Sequence, residues 1–449
     1  MSENKSVLAN IEEATIFSLT EKVKDDTMKS SSIIKGIVKL EYYESILTDS
    51  IHARVSYVDS GTTLEDGKSI WESLKIVGGE PFYLKFSDGT KENNELEFEG
   101  DYALCINKPS NIFNDTRKGV YEFHLTTKEY ELNETTRVNK RYDGLISNSI
   151  KSILIDDDCL ASKKNIVEID QTQQYSFFGS NRKPFYIINS LSKKSVSGEH
   201  QKEDRSAGYL FFETSEGYHF VSIDGLFKKA NLAEDEGNIK KIYYNETGIV
   251  PEGYNAKALT YDNSGGINVK SKLSSGTYNT RTITFDPFNC YYRVVTPSSK
   301  EIETDKDKPY IKGGNSLPNT DHFITPEKNN KRFSKTQWFC LDTGVMNHDN
   351  TDPQNHNFNY GKISNQANMR YNQLFSTFIN IIINGDFSLH AGDPVIFDSP
   401  SVNSFRTDDD NEQSGGLYII CSLCHWIENE NAYTQLTLVR DSFGKDKEN

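Results

Sequence analysis

Few residues in this chain have types and spacing that could do chemistry, and the sharpest set is Cys421-Ser422-Leu423-Cys424-His425. Two cysteines separated by two residues and followed by histidine match the attachment site of a c-type haem. Haem attachment needs an exported protein, and the polar start Met1-Ser2-Glu3-Asn4-Lys5 has no apolar segment behind it, which predicts no signal peptide. The motif also sits in a strand-like run, where neighbours alternate between faces, so Cys421 and Cys424 are not expected to reach one ligand together. A structural zinc site would need a second ligand pair at standard spacing, which the sequence lacks. His348-Asp349-Asn350-Thr351-Asp352 with His356 could hold a metal, but it lies in a polar stretch that fixes no geometry. Asp156-Asp157-Asp158 and Asp408-Asp409-Asp410 could attract Ca²⁺; neither fits the calcium loop with its central Gly and terminal Glu, and solvated acidic turns are expected. No phosphate loop, dinucleotide fingerprint or serine nucleophile elbow is present. The sequence therefore predicts no catalytic, cofactor-binding or metal-binding residue, and no cofactor.

What the chain does must then come from its framework. The 449 residues are only 35% hydrophobic, yet 12% are aromatic, with 24 Tyr and 25 Phe. Disordered chains are poor in aromatics, so a folded protein with much polar surface is expected. The net charge of −15 comes from 65 acidic and 50 basic residues. Non-specific nucleic-acid binding needs a basic face, and Lys163-Lys164 and Lys193-Lys194 are pairs, not blocks. Cysteines at 105, 159, 290, 340, 421 and 424 are scattered, which with the polar N-terminus predicts cytoplasmic synthesis with reduced thiols. No apolar run is long enough to span a bilayer, so no membrane insertion is expected.

The clearest periodicity is at the end of the chain. Ile379, Ile381 and Ile383 alternate with Asn380, Ile382 and Asn384. The turn Asn384-Gly385-Asp386, a run Phe387–His390, a turn Ala391-Gly392-Asp393-Pro394 and a run Val395–Phe397 follow. Then come Leu417–Ile427 and Ala432–Arg440 about the turn 428–431. Period two broken by Gly-Asp turns predicts antiparallel strands. Leu417–Ile427 is apolar on both faces, which predicts a strand covered twice, by its own core and by the 296–365 insertion or another subunit.

Four regions are expected. Residues 1–32 read as a polar N-terminal arm ordered by a partner, with a short helix at 10–19. Residues 33–132 read as a β-barrel domain with strands at 33–43, 51–58, 81–86, 96–107 and 120–127. Its short helix carries Ile70, Trp71 and Leu74 on one face. Residues 133–235 read as an α+β insert, with helices at 145–154 and from Pro184 to Leu191, and a hairpin of 208–213 with 218–223, closed by Leu226 and Phe227. Residues 236–449 read as a second barrel, with helical turns at 269–273, strands at 278–285 and 290–295, and a polar insertion at about 296–365 holding some order at 338–341. The fold class is mainly β with an α+β insert: two antiparallel barrels and smaller insert domains.

Three blocks together resemble the baseplate hub proteins of contractile-tailed bacteriophages. They are LEYYESILTDSIHARVSYVDSG (40–61), GYLFFETSEGYHFVSIDGLF (208–227) preceded by PFYIINSLSKK (184–194), and INGDFSLHAGDPVIF (383–397) followed by GLYIICSLCHWIENENAYTQLTLVRDSFG (416–444). The resemblance implies two barrels of the tail-tube type per chain and a homotrimeric ring presenting six barrels around an axial channel. Such a ring adapts a six-fold tail tube, or tube-initiator protein, to a three-fold central spike. It implies a non-enzymatic virion component of the tail baseplate, assembled in the host cytoplasm, that also meets tape-measure and baseplate wedge proteins. Gly392-Asp393 would make a tight turn near the barrel rim, not a catalytic site. An acidic channel would let DNA pass without specific binding. Two other classes are compatible with the residues alone: a cell-surface carbohydrate- or receptor-binding tail module, and a cell-wall-degrading tail enzyme.

Overall fold

The structure, a computed structural model, describes residues 8–22, 27–61, 67–90, 92–197, 207–246, 250–265, 268–277, 280–287, 290–296, 333–340, 360–401 and 414–442. The His348–His356 cluster, Asp408–Asp410 and most of the 296–365 insertion lie outside these residues.

Barrel one is built from β1 (Asn10–Lys22), β2 (Met28–Ser32), β3 (Ile37–Ser45), β4 (His52–Asp59), β5 (Pro81–Ser87), β6 (Glu95–Phe98), β7 (Leu104–Asn114) and β8 (Gly119–Thr127), with helix α1 (Ile70–Leu74). The order β2-β1-β5-β7-β8-β4-β3 is a ring in effect, because β2 runs on through a single turn into β3 and the Ile33 amide still bonds the Ala14 carbonyl at 2.9 Å. Period-two alternation fills the interior with Ile16, Leu40, Val55, Phe82, Leu84 and Phe123. Ile70 and Leu74 of α1 join that core, and Ser69 caps the helix by accepting from the Glu72 amide.

The expected arm and helix at the N-terminus are corrected. Residues 10–22 are strand β1, antiparallel to β5 with Ala14 opposite Leu84 and Ile16 opposite Phe82. Ala14, Ile16 and Ser18 are buried at period two. The segment completes the barrel wall, and the ladder it gains outweighs the modest helix preference of Glu12-Glu13-Ala14.

The insert follows α2 (Lys128–Thr135). It comprises β9 (Arg141–Tyr142), α3 (Ile146–Ile155), β10 (Ile166–Ile169), β11 (Phe177–Phe178), α4 (Pro184–Ser192), β12 (Tyr209–Thr214) and β13 (Gly217–Ser222). A three-stranded sheet of order β10-β13-β12 packs with α3 and α4 around Ile150, Ile153, Phe185, Ile188, Phe211 and Phe220. Pro184 opens α4 as expected. Leu226 and Phe227 do not merely close the hairpin: they lie on a helix, α5 (Ile223–Asp235), capped by the Ser222 hydroxyl accepting from the Gly225 amide at 2.9 Å.

Barrel two is closed and six-stranded. Its members are β14 (Lys240–Tyr244), β15 (Ala256–Gly265), β19 (Thr377–Asn384), β20 (Pro394–Asp398), β21 (Gly416–Glu428) and β22 (Asn431–Arg440), in the ring β21-β20-β14-β15-β19-β22. It is not wholly antiparallel, since β14 runs parallel to both β15 and β20. Between β15 and β19 come α6 (Val269–Ser275), β16 (Thr280–Asp286), β17 (Tyr291–Val295), β18 (Lys335–Cys340) and α7 (Tyr360–Leu374). The strands expected near 278–295 stay out of the barrel and form a separate sheet of order β17-β16-β18.

The double burial of β21 has an intrachain cause. Tyr418, Ile420 and Leu423 face the barrel-two core, whereas Leu417, Ile419 and Cys421 pack with Leu226, Phe227 and Ala230 of α5 and Leu374 of α7. The cover is thus the insert's own last helix together with α7. Substituting Ile16 by Ala should lower stability by about 2–4 kcal/mol, with an unchanged denaturant slope in a urea titration. A change below 0.5 kcal/mol would mean that β1 is not part of the barrel wall.

Candidate functional site

The most heavily invested polar site is where the two barrels and the insert meet. Strand β21 creates it. Its first part pairs with β20, from Gly416 to Ile419, and its second part pairs with β3, from Ser422 to Glu428. The change of partner falls at an irregularity between Ile420 and Ser422. There the Cys421 carbonyl accepts from the Ile46 amide at 2.9 Å and from the Ser45 hydroxyl at 3.2 Å, ending the β20 pairing and starting the β3 pairing. One strand therefore belongs to both barrels.

This seam brings the end of β3 against the connection between β19 and β20. Glu44 points inward in phase with Leu40 and Tyr42, and its side chain is wholly buried. Its carboxylate accepts from four donors: the Tyr42 hydroxyl (2.7 Å), the Ser215 amide (2.9 Å), the Ala391 amide (2.9 Å) and His390 Nδ1 (3.2 Å). These donors come from barrel one, the insert hairpin and barrel two. Burial opposes ionisation of Glu44, but the His390 charge and these hydrogen bonds outweigh it and hold the carboxyl at about 2. Burial likewise opposes the imidazolium, and the Glu44 carboxylate overcomes it, lifting His390 to about 9. The pair is ionised across the neutral range.

The connection itself corrects an expectation. Phe387–His390 is not a strand but an irregular plug whose amides bond to side chains in place of a ladder. Phe387 donates to Asp88 Oδ2 (3.1 Å), Ser388 to Asp386 Oδ1 (3.3 Å), His390 to Asp393 Oδ2 (2.9 Å) and Ala391 to Glu44. The Phe387 ring enters the core of barrel one, 5.4 Å from Phe86. Gly392 takes a φ of +93°, where a Cβ would meet the Phe212 ring at 3.1 Å, so the expected tight turn is present and is pressed against the insert.

A second buried cluster lies on the insert's side. Lys164 Nζ reaches Glu213 Oε1 at 2.6 Å and Glu129 Oε2 at 3.0 Å, with all three side chains nearly inaccessible. Burial disfavours the Lys164 charge, and the two carboxylates outweigh it and raise its pKa. Glu213 Oε2 accepts from the Ile51 amide and the Thr127 hydroxyl of barrel one, each at 3.4 Å. These groups clamp modules together.

The haem-like motif comes apart in space. Cys421 packs with α5, whereas Cys424 lies beyond the irregularity, in an outer groove of about 380 Å³ with Tyr43, His52, Gln435 and Thr437. Burial pushes both thiols up to about 12, far from a reactive thiolate. His425 is enclosed, with Nδ1 2.8 Å from the Thr434 hydroxyl and Nε2 3.1 Å from the Leu389 carbonyl, and burial lowers it to about 4. It is a neutral core histidine parallel to Tyr42, the ring centroids 6.2 Å apart. Asp156 pairs with Lys140 at 2.6 Å. Among the described residues, no group of three or more His, Cys, Asp or Glu side chains is placed to hold a metal.

Sequence reasoning named none of Glu44, His390, Lys164 and Glu213 as site residues. A signal was available: Glu44, Glu213 and His425 each occupy a strand position whose register calls for an apolar residue. Replacing Glu44 by Gln should cost about 3 kcal/mol, because buried donors lose their acceptor and His390 its counter-charge. The His390 contribution is present below its ordinary 6.5 and lost as pH rises through about 9; that of Glu44 is present above its ordinary 4.5 and lost as pH falls through about 2. The melting temperature of wild type should fall between pH 6.5 and 9 more than that of the His390→Gln variant. Parallel curves would show that the pair carries no linked proton.

No family model and no protein of curated function matches the sequence. Among solved structures, the chain is similar to the 43 kDa tail protein of prophage MuSo2 from Shewanella oneidensis, at 9% identity and a TM-score of 0.48 over 96% of this chain and 98% of the other. It is similar to a tail protein from Neisseria meningitidis MC58, at 7% identity and a TM-score of 0.49 over 96% of each chain. It is also similar to the prophage tail protein gp18 from Listeria monocytogenes EGD-e, at 9% identity and a TM-score of 0.43 over 95% of this chain and 94% of the other. Two of these three are prophage tail proteins, and the third is a tail protein.

Proposed function

We propose that the chain is a structural baseplate-hub subunit of a contractile phage tail. Three copies form a ring that adapts a six-fold tail tube to a three-fold central spike and encloses part of the DNA passage. The observation that carries this reading is the fusion of two barrels, the second of them six-stranded, through the β3–β21 seam of one continuous sheet. A three-fold ring of such chains presents six barrels, which reconciles the two symmetries.

The sequence blocks that resemble hub proteins form the seam and its clamp: β3 and β4 in the first, α4, β12, β13 and the start of α5 in the second, and the end of β19 with β20, β21 and β22 in the third. In this reading the tube-like units are barrel one, extended to Asn10, and barrel two, with residues 133–235 as the insert that braces them. The role is non-enzymatic and belongs to the virion, with the spike, the tube or its initiator, tape-measure and wedge proteins as neighbours. The −15 charge suits a channel through which DNA passes without being held.

Light scattering on the purified chain should give three times the 51.0 kDa chain mass. A mass that stays at one chain across the concentration range overturns the trimer.

A further inference from the structure

One antiparallel sheet runs through both barrels. Its strands follow the order β7-β8-β4-β3 from barrel one and then β21-β22-β19-β15 from barrel two, and each neighbouring pair is antiparallel. The two sets of four repeat one plan. Each opens with a strand that starts in its own barrel and then leaves it. In barrel two that strand is β21. It pairs with β20 from Gly416 to Ile419, shifts register between Ile420 and Ser422, and continues beside β3. In barrel one the strand is β7. Leu104 and Cys105 pair with β5, the register with β8 shifts between Ile106 and Lys108, and the strand continues to Asn114.

The two plans differ in what covers the second half of that strand. In β21 it is covered by β3, from Ser422 opposite Ser45 to Glu428 opposite Lys39. From Lys108 to Asn114, β7 has β8 on one edge and, among the described residues, no strand on the other. The last strand of each set shows the same contrast. In barrel one, β3 meets β21. In barrel two, β15 pairs with β14 only from Ala256 to Ala258. Past that point β19 lines one edge of β15, and no strand among the described residues lies beside Leu259, Thr260, Tyr261 or Asn263 on the other. Both open stretches expose large apolar side chains: Ile112 (60%) and Phe113 (50%) on β7, and Leu259 (42%) on β15.

An open strand edge is a ready partner for another chain, and closing a sheet into a ring removes its edges. Lys108 and Pro109, which has no amide to donate, guard the start of the β7 edge in a free subunit. The two edges end opposite sides of one sheet and do not pair with each other within a copy. Because the strands alternate in direction and their number is even, β7 and β15 run in opposite directions. Copies set head to tail therefore bring β7 of one antiparallel to β15 of the next, and the alternation continues unbroken. Contacts of this heterologous kind close into rings. We propose that Lys108–Asn114 of β7 pairs antiparallel with Leu259–Gly265 of β15 in a second copy of this chain. The pairing repeats between copies the β21–β3 junction found within one, over the same number of residues. The contact rests on the trimer reading and names the strands that build its ring.

The test uses two full-length variants, one carrying Ile112→Asp with Phe113→Asp and the other Leu259→Asp, all at exposed positions on the open edges. Each alone should fall from three chain masses to one in light scattering, with an unchanged unfolding midpoint. Mixed, they should form a species of two chain masses, because each retains the edge the other has lost and only one productive contact can form. A second measurement does not depend on how these variants fold. A photoreactive benzoylphenylalanine placed at the exposed Asn111 of the otherwise unaltered chain should cross-link to residues 256–265 of another copy, read by peptide mapping of the two-chain band. A wild-type trimer that survives the substitutions, or a cross-link between copies that maps outside β15, overturns this contact and leaves the trimer standing. A wild-type monomer removes the contact and the trimer together.

Discussion

The architecture depends on one backbone event, the exchange of partner strands along β21 at Cys421. A strand edge offers one row of donors and acceptors, and every group in it must be satisfied where water is excluded. Up to Ile419 that row is taken by β20, and from Ser422 by β3. Neither barrel can shift along β21 without unpairing the other. The irregularity at Cys421 also rephases the side chains: before it, odd-numbered residues face α5, and after it Leu423 and Ile427 face the barrel interiors. The change of phase lets one strand line a doubly covered sheet and then two adjoining cores.

The buried charges make sense as guards of this register. An ion pair withdrawn from water gains little net stability over a well-packed apolar alternative, because desolvation consumes most of the Coulomb energy. Its geometry, however, is unforgiving. If β3 slipped by one residue against β21, Glu44 would turn outward and the amides of Ser215 and Ala391 would face apolar surface. The same holds for Arg370, fully buried in α7 between Asp224 of α5 and Asp441 after β22. Apolar cores tolerate small shifts, but these carboxylate and guanidinium sites accept one arrangement of helices and strands. Glu44 orders barrel one, the insert hairpin and barrel two about a single atom group, and Arg370 does so for the helices over β21.

Much of the framework was legible because period-two alternation survives wherever a strand has one wet face. β4, β5, β8, β19 and β22 were placed within a few residues on that ground. Three things were hidden. β1 begins Asn10-Ile11-Glu12-Glu13, and a bulge at Glu12 breaks the alternation where a reader would look for it. β14 and β15 are joined in parallel, so no turn of the hairpin kind announces them. The plug 387–390 has the composition of a strand, and only the carboxylates of Asp386 and Asp393, beside it in sequence, and of Asp88 and Glu44, about 300 residues or more away, divert its amides from a ladder. The junction was hidden differently: Glu44 is one of 65 acidic residues, and only its phase, in step with Leu40 and Tyr42, sets it apart.

Fusing two barrels through a shared strand also has a thermodynamic consequence for any ring built from them. Immobilising one free body against another costs on the order of 4–15 kcal/mol before any contact is counted. A ring of six separate barrels fixes five bodies relative to the first, whereas a ring of three fused pairs fixes two. Three junctions of the six are then formed during folding, at high effective concentration and with their register set by Glu44. The remaining three can be correspondingly weaker. In any such ring, the stronger the junction inside the chain, the less apolar surface a free subunit needs to expose outside it.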